Sequence, residues 1–317
     1  MEYLILILSL AGIVLGADFL VKGAVVVARK CRVSSFVIGA VIVGIGTSLP
    51  ELVVSTVGAI GGNSEVAIGN VVGSNIFNVF AILGLTALFF PIAVSRENMK
   101  FEIPFCIAVS ILLMLLVYNF FIVGEPRLGR WDGAALLLVF TSFMWISLRR
   151  GKSSAATVGE SVEEENKSLW FAAFSILGGL AALIVSSNFF VDEAVAIARK
   201  LGVSDAFISI TLLACGTSLP ELAASVTAAV KKDTDMALGN IIGSNIFNAT
   251  MILGTASLIT PLTTGKIGLV DYGAMILAAV LPMIFGIRGK ITRFEGLLML
   301  LCYAAYTWYI VTYVMAV

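Results

Sequence analysis

The sequence predicts an all-α polytopic membrane protein, with ten transmembrane helices arranged as two inverted five-helix repeats. Three observations support this prediction. Of the 317 residues, 59% are hydrophobic and 13% are charged, and the mean hydropathy is +1.04, far above that of soluble domains. The apolar residues fall into runs of transmembrane length. The second half of the chain repeats the first.

Apolar runs of about 18 residues or more, taken as membrane spans, give ten helices. They cover residues 3–28, 33–60, 66–94, 101–123, 132–148, 169–197, 203–230, 236–262, 267–287 and 295–317. No basic residues precede the first run and a copy of it follows later, so it is interpreted as a structural helix and not as a signal peptide. Breaks are expected in the second and seventh helices, because Pro50 and Pro220 each remove a backbone donor.

Two motifs recur with a constant offset. Residues 46–52 (GTSLPEL) return at 216–222, and residues 69–78 (GNVVGSNIFN) return as GNIIGSNIFN at 239–248. The repeat therefore predicts three parts: a first five-helix repeat over 1–150, a polar cytoplasmic linker over 151–168, and a second repeat over 169–317. The linker is interpreted as a solvated tether, because so short a polar segment cannot bury a core.

The number of helices in each repeat determines their relative orientation. Five is odd, so the second repeat must cross the membrane in the opposite sense to the first, about an axis in the membrane plane. If the N-terminus is outside, fifteen of the 20 Lys and Arg residues lie on the inner side. The bias towards positive inner loops therefore predicts a cell-membrane protein with both termini outside.

Composition also excludes several functions. The formal net charge is zero, so no basic surface indicates a nucleic-acid partner, and lipid is the expected surrounding. The chain has no histidine, and its four cysteines stand apart from one another. Zinc, haem and Ser-His-Asp chemistry are therefore not expected, nor is an enzyme or a bound cofactor.

The candidate site consists of polar residues inside the apolar runs. Glu51 and Glu221 carry charge at membrane depth with no basic residue in either motif, which favours a role as ion ligands. Their oxygens, with nearby hydroxyls and amides, are the hard ligands that Ca²⁺ or Na⁺ prefers. The two sets are Thr47, Ser48, Glu51, Ser74 and Asn78, and Thr217, Ser218, Glu221, Ser244 and Asn248. Asn75 and Asn245 lie on another helical face and are interpreted as packing residues, and Asp18 is expected to pair with Lys22.

The paired GTSLPE and GSNIFN motifs resemble the α-repeats of the cation/Ca²⁺ exchanger superfamily, and in particular the prokaryotic sodium/calcium exchangers. The resemblance implies alternating-access exchange of several Na⁺ for one Ca²⁺, both as substrates, near the bilayer midplane. It also implies that helices 1 and 6 slide against the others, and the chain is expected to act as a monomer. The ligands it implies are the side chains of Glu51, Asn78 and Glu221, oxygens of Thr47, Ser48, Ser74, Thr217, Ser218 and Ser244, and the backbone of Gly44 and Ala214.

One position departs from part of this family. Asn248 stands where some microbial and all potassium-dependent relatives carry aspartate, which leaves two formal negative charges in the centre. A Ca²⁺/H⁺ antiporter remains an alternative, in which Glu51 and Glu221 would exchange protons for the metal. A passive cation channel is an alternative of a different class, and an intramembrane enzyme is the weakest one because no nucleophile with a base is present.

Overall fold

The computed structural model describes residues 2–118, 126–153, 168–202 and 214–314, which are almost entirely helical. In the first half the helices are α1 (Glu2–Cys31), α2 (Ser35–Thr47), α3 (Leu49–Ile60), α4 (Ser64–Phe89), α5 (Arg96–Tyr118) and α6 (Arg130–Ser153). In the second half they are α7 (Leu169–Lys200), α8 (Ala214–Gly216), α9 (Leu219–Val230), α10 (Thr234–Ile259), α11 (Leu269–Gly286) and α12 (Arg293–Tyr309). Four two-residue strands connect them: β1 (Ile92–Ala93), β2 (Arg127–Leu128), β3 (Leu262–Thr263) and β4 (Lys290–Ile291).

Within the described residues, eight helices are long and apolar enough to cross a membrane. The number rises to nine if α2 and α3, which meet at an angle of 47°, form one span. The predicted span over 203–230 is described only from residue 214 onward, as α8 and α9. The all-helical membrane fold is therefore found, whereas the ten-helix inverted repeat stays a prediction. The predicted linker falls mostly outside the described residues.

The bend between α2 and α3 lies at Ser48, whose φ of −85° and ψ of 9° are not helical. Pro50 is the second residue of α3, a position where its missing N–H leaves no helical hydrogen bond unmade. Ser218 has a similar conformation immediately before α9. As a result, Glu51 and Glu221 both lie in the first turn of a helix, where the helix dipole favours negative charge.

The segments that connect the helices lie on two faces of the molecule. β1 pairs with β4, and Asn98 donates from Nδ2 to Oδ1 of Asp235 at 3.2 Å, so these segments share the β1–β4 face. β2 pairs with β3 on the β2–β3 face. On the latter face the Lys266 N–H donates to Oε1 of Glu65 at 2.9 Å, and Lys200 pairs with Glu2. The sequence predicts that the β1–β4 face is cytoplasmic.

That orientation can be tested by labelling single cysteines with a membrane-impermeant maleimide. Cysteines at Ser64 and Thr263, on the β2–β3 face, are expected to react in intact cells, and a cysteine at Thr234 only after permeabilisation. The background should carry Cys31→Ser, because Cys31 is exposed. Reaction with the opposite sidedness would reverse the orientation.

Helices α4 and α10 form the centre of the fold, because 78% and 83%, respectively, of an apolar 18-residue stretch in each helix is buried. α2 packs directly on α10 through glycines. A Cβ atom at Gly239 would overlap the carbonyl of Phe36, and one at Gly243 would overlap Ala40. Only glycine allows the two backbones to approach this closely.

Gly239→Ala is therefore expected to destabilise the protein by about 1–3 kcal/mol, because the added methyl group overpacks the contact with α2. Gly273→Ala is the matched control, since no described atom outside the adjacent backbone of its own helix lies within 4 Å of its Cβ position. The control should be neutral or stabilising by about 0.5–1 kcal/mol, through helix propensity alone. Thermal unfolding in detergent measures both variants, and equal midpoints would contradict the close contact.

Helix α1 is joined to the rest of the fold by a charged cluster. Asp18 lies 2.6 Å from Nζ of Lys22, one turn further along α1, which confirms the predicted pair. It also lies 2.7 Å from Nζ of Lys231, immediately after α9. The second pair was not predictable from sequence, because Lys231 follows Asp18 by 213 positions in the chain. Only the packing of the helices brings the two residues together.

Candidate cation-binding site

The two intramembrane glutamates are both fully buried and lie close together. Oγ of Ser218 donates to Oε1 of Glu51 at 3.0 Å, and Oγ of Ser48 donates to Oε1 of Glu221 at 2.8 Å. Each carboxylate thus accepts a hydrogen bond from the serine that lies three residues before the glutamate of the other repeat. Among the described residues, no ion pair involves either carboxylate. Two buried charges without a protein counter-charge are unfavourable unless a cation neutralises them.

The segments that begin at Asn78 and Asn248 pack against the glutamate helices of the opposite repeat. A set of oxygen atoms on or beside these elements has no hydrogen-bond partner among the described residues. They are Oε2 of Glu51, Oε2 of Glu221, Oδ1 of Asn78, Oδ1 of Asn248 and Oγ1 of Thr217, and each atom is buried. Buried polar atoms are nearly always hydrogen-bonded in folded proteins. The free atoms are all oxygens, two of them from carboxylates, which is the donor set of a hard cation such as Ca²⁺ or Na⁺.

The remaining predicted ligands form the edge of the site. Oγ of Ser244 donates to the carbonyl of Gly44 at 3.2 Å. Oγ1 of Thr47 donates to the carbonyl of Val43 at 3.0 Å and faces Oδ1 of Asn240 at 3.3 Å. Ser74 is buried and borders a cavity. Ala214 is the first residue of α8 and directly follows residues outside the described ranges.

Asn78 and Asn248 each begin a π-helical segment, Asn78–Leu83 in α4 and Asn248–Ile252 in α10. A π-helical turn widens the helix locally and is frequent at functional sites. The helical periodicity of the sequence gives no sign of either segment. Both segments occur at the asparagine that ends GSNIFN, so the duplicated motif is the one feature that marks them.

Two asparagines that were not predicted as site residues donate hydrogen bonds to the backbone carbonyls of the glutamates. Nδ2 of Asn70 donates to the carbonyl of Glu51 at 3.2 Å and to Oγ of Ser55 at 3.0 Å. Nδ2 of Asn240 makes the equivalent bonds, to the carbonyl of Glu221 at 3.2 Å and to Oγ of Ser225 at 2.8 Å. The recurrence of Gly-Asn at 69–70 and 239–240 was the available indication.

A cavity of about 540 Å³ among the described residues borders the site at Ser74. Its described lining extends from Ser74 and Asn70 to Glu65 and Lys266, on the β2–β3 face. Towards the β1–β4 face, α2 packs closely on α10 through the glycine contacts described above. The cavity thus extends from the β2–β3 face to the edge of the site, while Glu51 and Glu221 themselves are fully buried.

Comparison with known proteins gives consistent matches. The family described as "Sodium/calcium exchanger protein" matches residues 1–149 and 171–312. The sodium/calcium exchanger MaX1 of Methanosarcina acetivorans is 35% identical, over 96% of this chain and 97% of that protein. The inner membrane protein YrbG of Escherichia coli is 33% identical, over 87% of this chain and 86% of that protein. The structure of the sodium-calcium exchanger NCX_Mj soaked with 10 mM Na⁺ superposes with a TM-score of 0.83, at 32% identity and 98% coverage of both chains.

Proposed function

The chain belongs to the sodium/calcium exchanger protein family and is a membrane cation/Ca²⁺ exchanger, not an enzyme, and we propose that Na⁺ is the ion it exchanges for Ca²⁺. The observation that supports this most is the set of unpartnered buried oxygens around Glu51 and Glu221. Two carboxylates neutralise either one Ca²⁺ or two Na⁺. The two cations would therefore compete for one site, which is the requirement for exchange.

The choice of Na⁺ over H⁺ as the coupling ion rests on the two asparagines. Asn78 and Asn248 offer one neutral oxygen each and contain no group that ionises. A proton-coupled site would be served better by a further carboxyl group at one of these positions. Moving more than two Na⁺ against one Ca²⁺ would carry net positive charge, at about 2.3 kcal/mol per charge per 100 mV of membrane potential.

Alternating access is the proposed mechanism. A cavity extends from the β2–β3 face to Ser74, whereas α2 packs closely on α10 towards the β1–β4 face, and this asymmetry supports access from one face at a time. Helices α1 and α7 are peripheral and pack closely on each other, with Gly16 of α1 against Gly179 of α7. This pair is proposed to slide against the central helices, in a monomer that lies in the cell membrane with both termini outside.

The experiment that tests the coupling ion is isotopic Ca²⁺ flux in proteoliposomes, with Na⁺, H⁺ and K⁺ gradients imposed one at a time. A Na⁺ gradient alone should drive Ca²⁺ uptake, and neither of the other gradients should. Uptake driven by H⁺ without Na⁺ would favour the Ca²⁺/H⁺ antiporter. Ca²⁺ movement without any gradient of a second ion, together with unitary conductance, would favour a channel.

A further inference from the structure

Four asparagines at the centre of the fold form a network that crosses between the two repeats. Nδ2 of Asn75 donates to the carbonyl of Asn245 at 3.0 Å, and Nδ2 of Asn245 donates to the carbonyl of Asn75 at 3.1 Å. Nδ2 of Asn78 donates to Oδ1 of Asn245 at 3.0 Å, and Nδ2 of Asn248 donates to Oδ1 of Asn75 at 3.1 Å. All four residues are at most 3% exposed. We refer to them as the asparagine quartet.

The backbone determines how Asn75 and Asn245 are oriented. A backbone carbonyl can only accept a hydrogen bond, so the end of each amide that faces it must be the NH₂ group. The carbonyl of Asn245 therefore fixes the amide of Asn75, and the carbonyl of Asn75 fixes the amide of Asn245. The other end of each amide is then necessarily the oxygen.

These two oxygens in turn determine the orientation of the ligands. Oδ1 of Asn75 faces the amide of Asn248, and an oxygen can only be paired with a donor, so Asn248 must turn its NH₂ group towards it. The same step from Asn245 fixes Asn78. The ends of Asn78 and Asn248 that remain free are both oxygens, and these are among the unpartnered atoms of the site.

We propose that Asn75 and Asn245 are positioning residues, which hold the amides of Asn248 and Asn78 with their oxygens towards the transported cation. The inference rests on the proposed cation site and adds two residues to it. The amide oxygen and NH₂ group have nearly the same size, so an unanchored amide can turn over at little steric cost. Turned over, it would present N–H dipoles to a cation, which repel it.

The crossed connection makes this proposal specific. Asn75 orients only Asn248, and Asn245 orients only Asn78. The effect of replacing Asn75 should therefore depend on which side chain occupies position 248, and should not depend on position 78. A role in helix packing alone would show no such dependence.

The test is a double-mutant cycle on Ca²⁺ affinity, measured by calorimetry on the purified full-length protein, with thermal unfolding as the check of folding. Asn75→Leu and Asn245→Leu keep the side-chain shape and remove the amide. Each should weaken Ca²⁺ binding about 10–100-fold, the range typical for loss of groups that orient metal ligands. Asn75→Ser replaces the leucine variant if that variant does not fold.

The second arm uses Asn248→Asp, whose carboxylate has oxygens at both ends and needs no orientation. At a pH at which the new carboxyl group is ionised, Asn75→Leu should cost less than about threefold in this background or improve binding, because the oxygen of Asn75 then faces an oxygen and has no amide to orient. Asn245→Leu should still cost about 10–100-fold there, because Asn78 is unchanged. Asn245 is thus the matched control for Asn75.

Equal losses for Asn75→Leu in the two backgrounds would overturn the inference and leave only a packing role. Absence of Ca²⁺ binding by the unsubstituted protein would overturn it together with the cation site. Ca²⁺ binding with the expected cycle but without Na⁺-driven flux would support the inference and contradict only the proposed coupling ion.

Discussion

Replacing either Glu51 or Glu221 by glutamine is expected to abolish Na⁺-driven Ca²⁺ uptake while the protein remains folded. The amide keeps the volume of the carboxylate and can still accept the bond from Ser218 or Ser48. It removes half of the negative charge of the site. A unit charge at 4 Å is worth on the order of 4 kcal/mol at an effective dielectric constant of 20, so the loss of uptake should exceed about 100-fold.

Matched serine variants separate the charge from the hydrogen bonds. Ser48→Ala and Ser218→Ala remove the donors to the two carboxylates but leave both charges, so uptake should fall by no more than about tenfold. The glutamine variants should also unfold at the same temperature as the unsubstituted protein or a higher one, because each removes a buried charge. Near-normal flux in either glutamine variant would contradict the assignment of the site.

Asn248→Asp is expected to change the ion dependence of transport. The new carboxylate adds a third negative charge that a proton or an additional cation such as K⁺ can neutralise. Its oxygen would also face Oδ1 of Asn75, in the place from which Nδ2 of Asn248 now donates at 3.1 Å. Two facing oxygens repel each other unless one of them carries a proton, so the variant should become sensitive to pH.

The measurement is Ca²⁺ flux between about pH 6 and pH 9, with and without K⁺, on both proteins. At low pH the protonated variant should resemble the unsubstituted protein, and the two should diverge as pH rises and the carboxyl group ionises. Asn78→Asp is the control from the other repeat and should behave similarly, because Asn78 faces Asn245 in the same way. Transport by the unsubstituted protein that requires K⁺ would contradict the role given to Asn248.

Much of this fold was predictable from the sequence, because a membrane-spanning helix is recognised from residues that are close together in the chain. Apolar runs determine where α1, α4 and α10 cross, and the expected Asp18–Lys22 pair is one helical turn long. Glu51 and Glu221 stood out as charges in apolar surroundings without basic neighbours, and the structure brings them together. Each of these predictions depended on residues that are near one another in the chain.

What the sequence could not supply depends on contacts between the repeats. Whether Asn75 serves in packing or in positioning depends on which atom of Asn245 its amide contacts, and Asn245 is 170 residues away in the chain. The support of Glu51 by Asn70 likewise requires α3 and α4 to be placed first. The π-helical segments at Asn78 and Asn248 change the hydrogen bonding of the backbone without changing the apolar pattern, so periodicity cannot detect them.

The most direct test of the account is whether Na⁺ and Ca²⁺ compete for the site of Glu51 and Glu221. Ca²⁺ binding to the purified protein is measured by calorimetry at increasing Na⁺ concentration, with choline replacing Na⁺ at constant ionic strength. We predict that Na⁺ raises the apparent Kd for Ca²⁺ without changing the number of sites, and that the double variant Glu51→Gln/Glu221→Gln binds neither ion. Ca²⁺ binding that is indifferent to Na⁺, or that persists in the double variant, would contradict it.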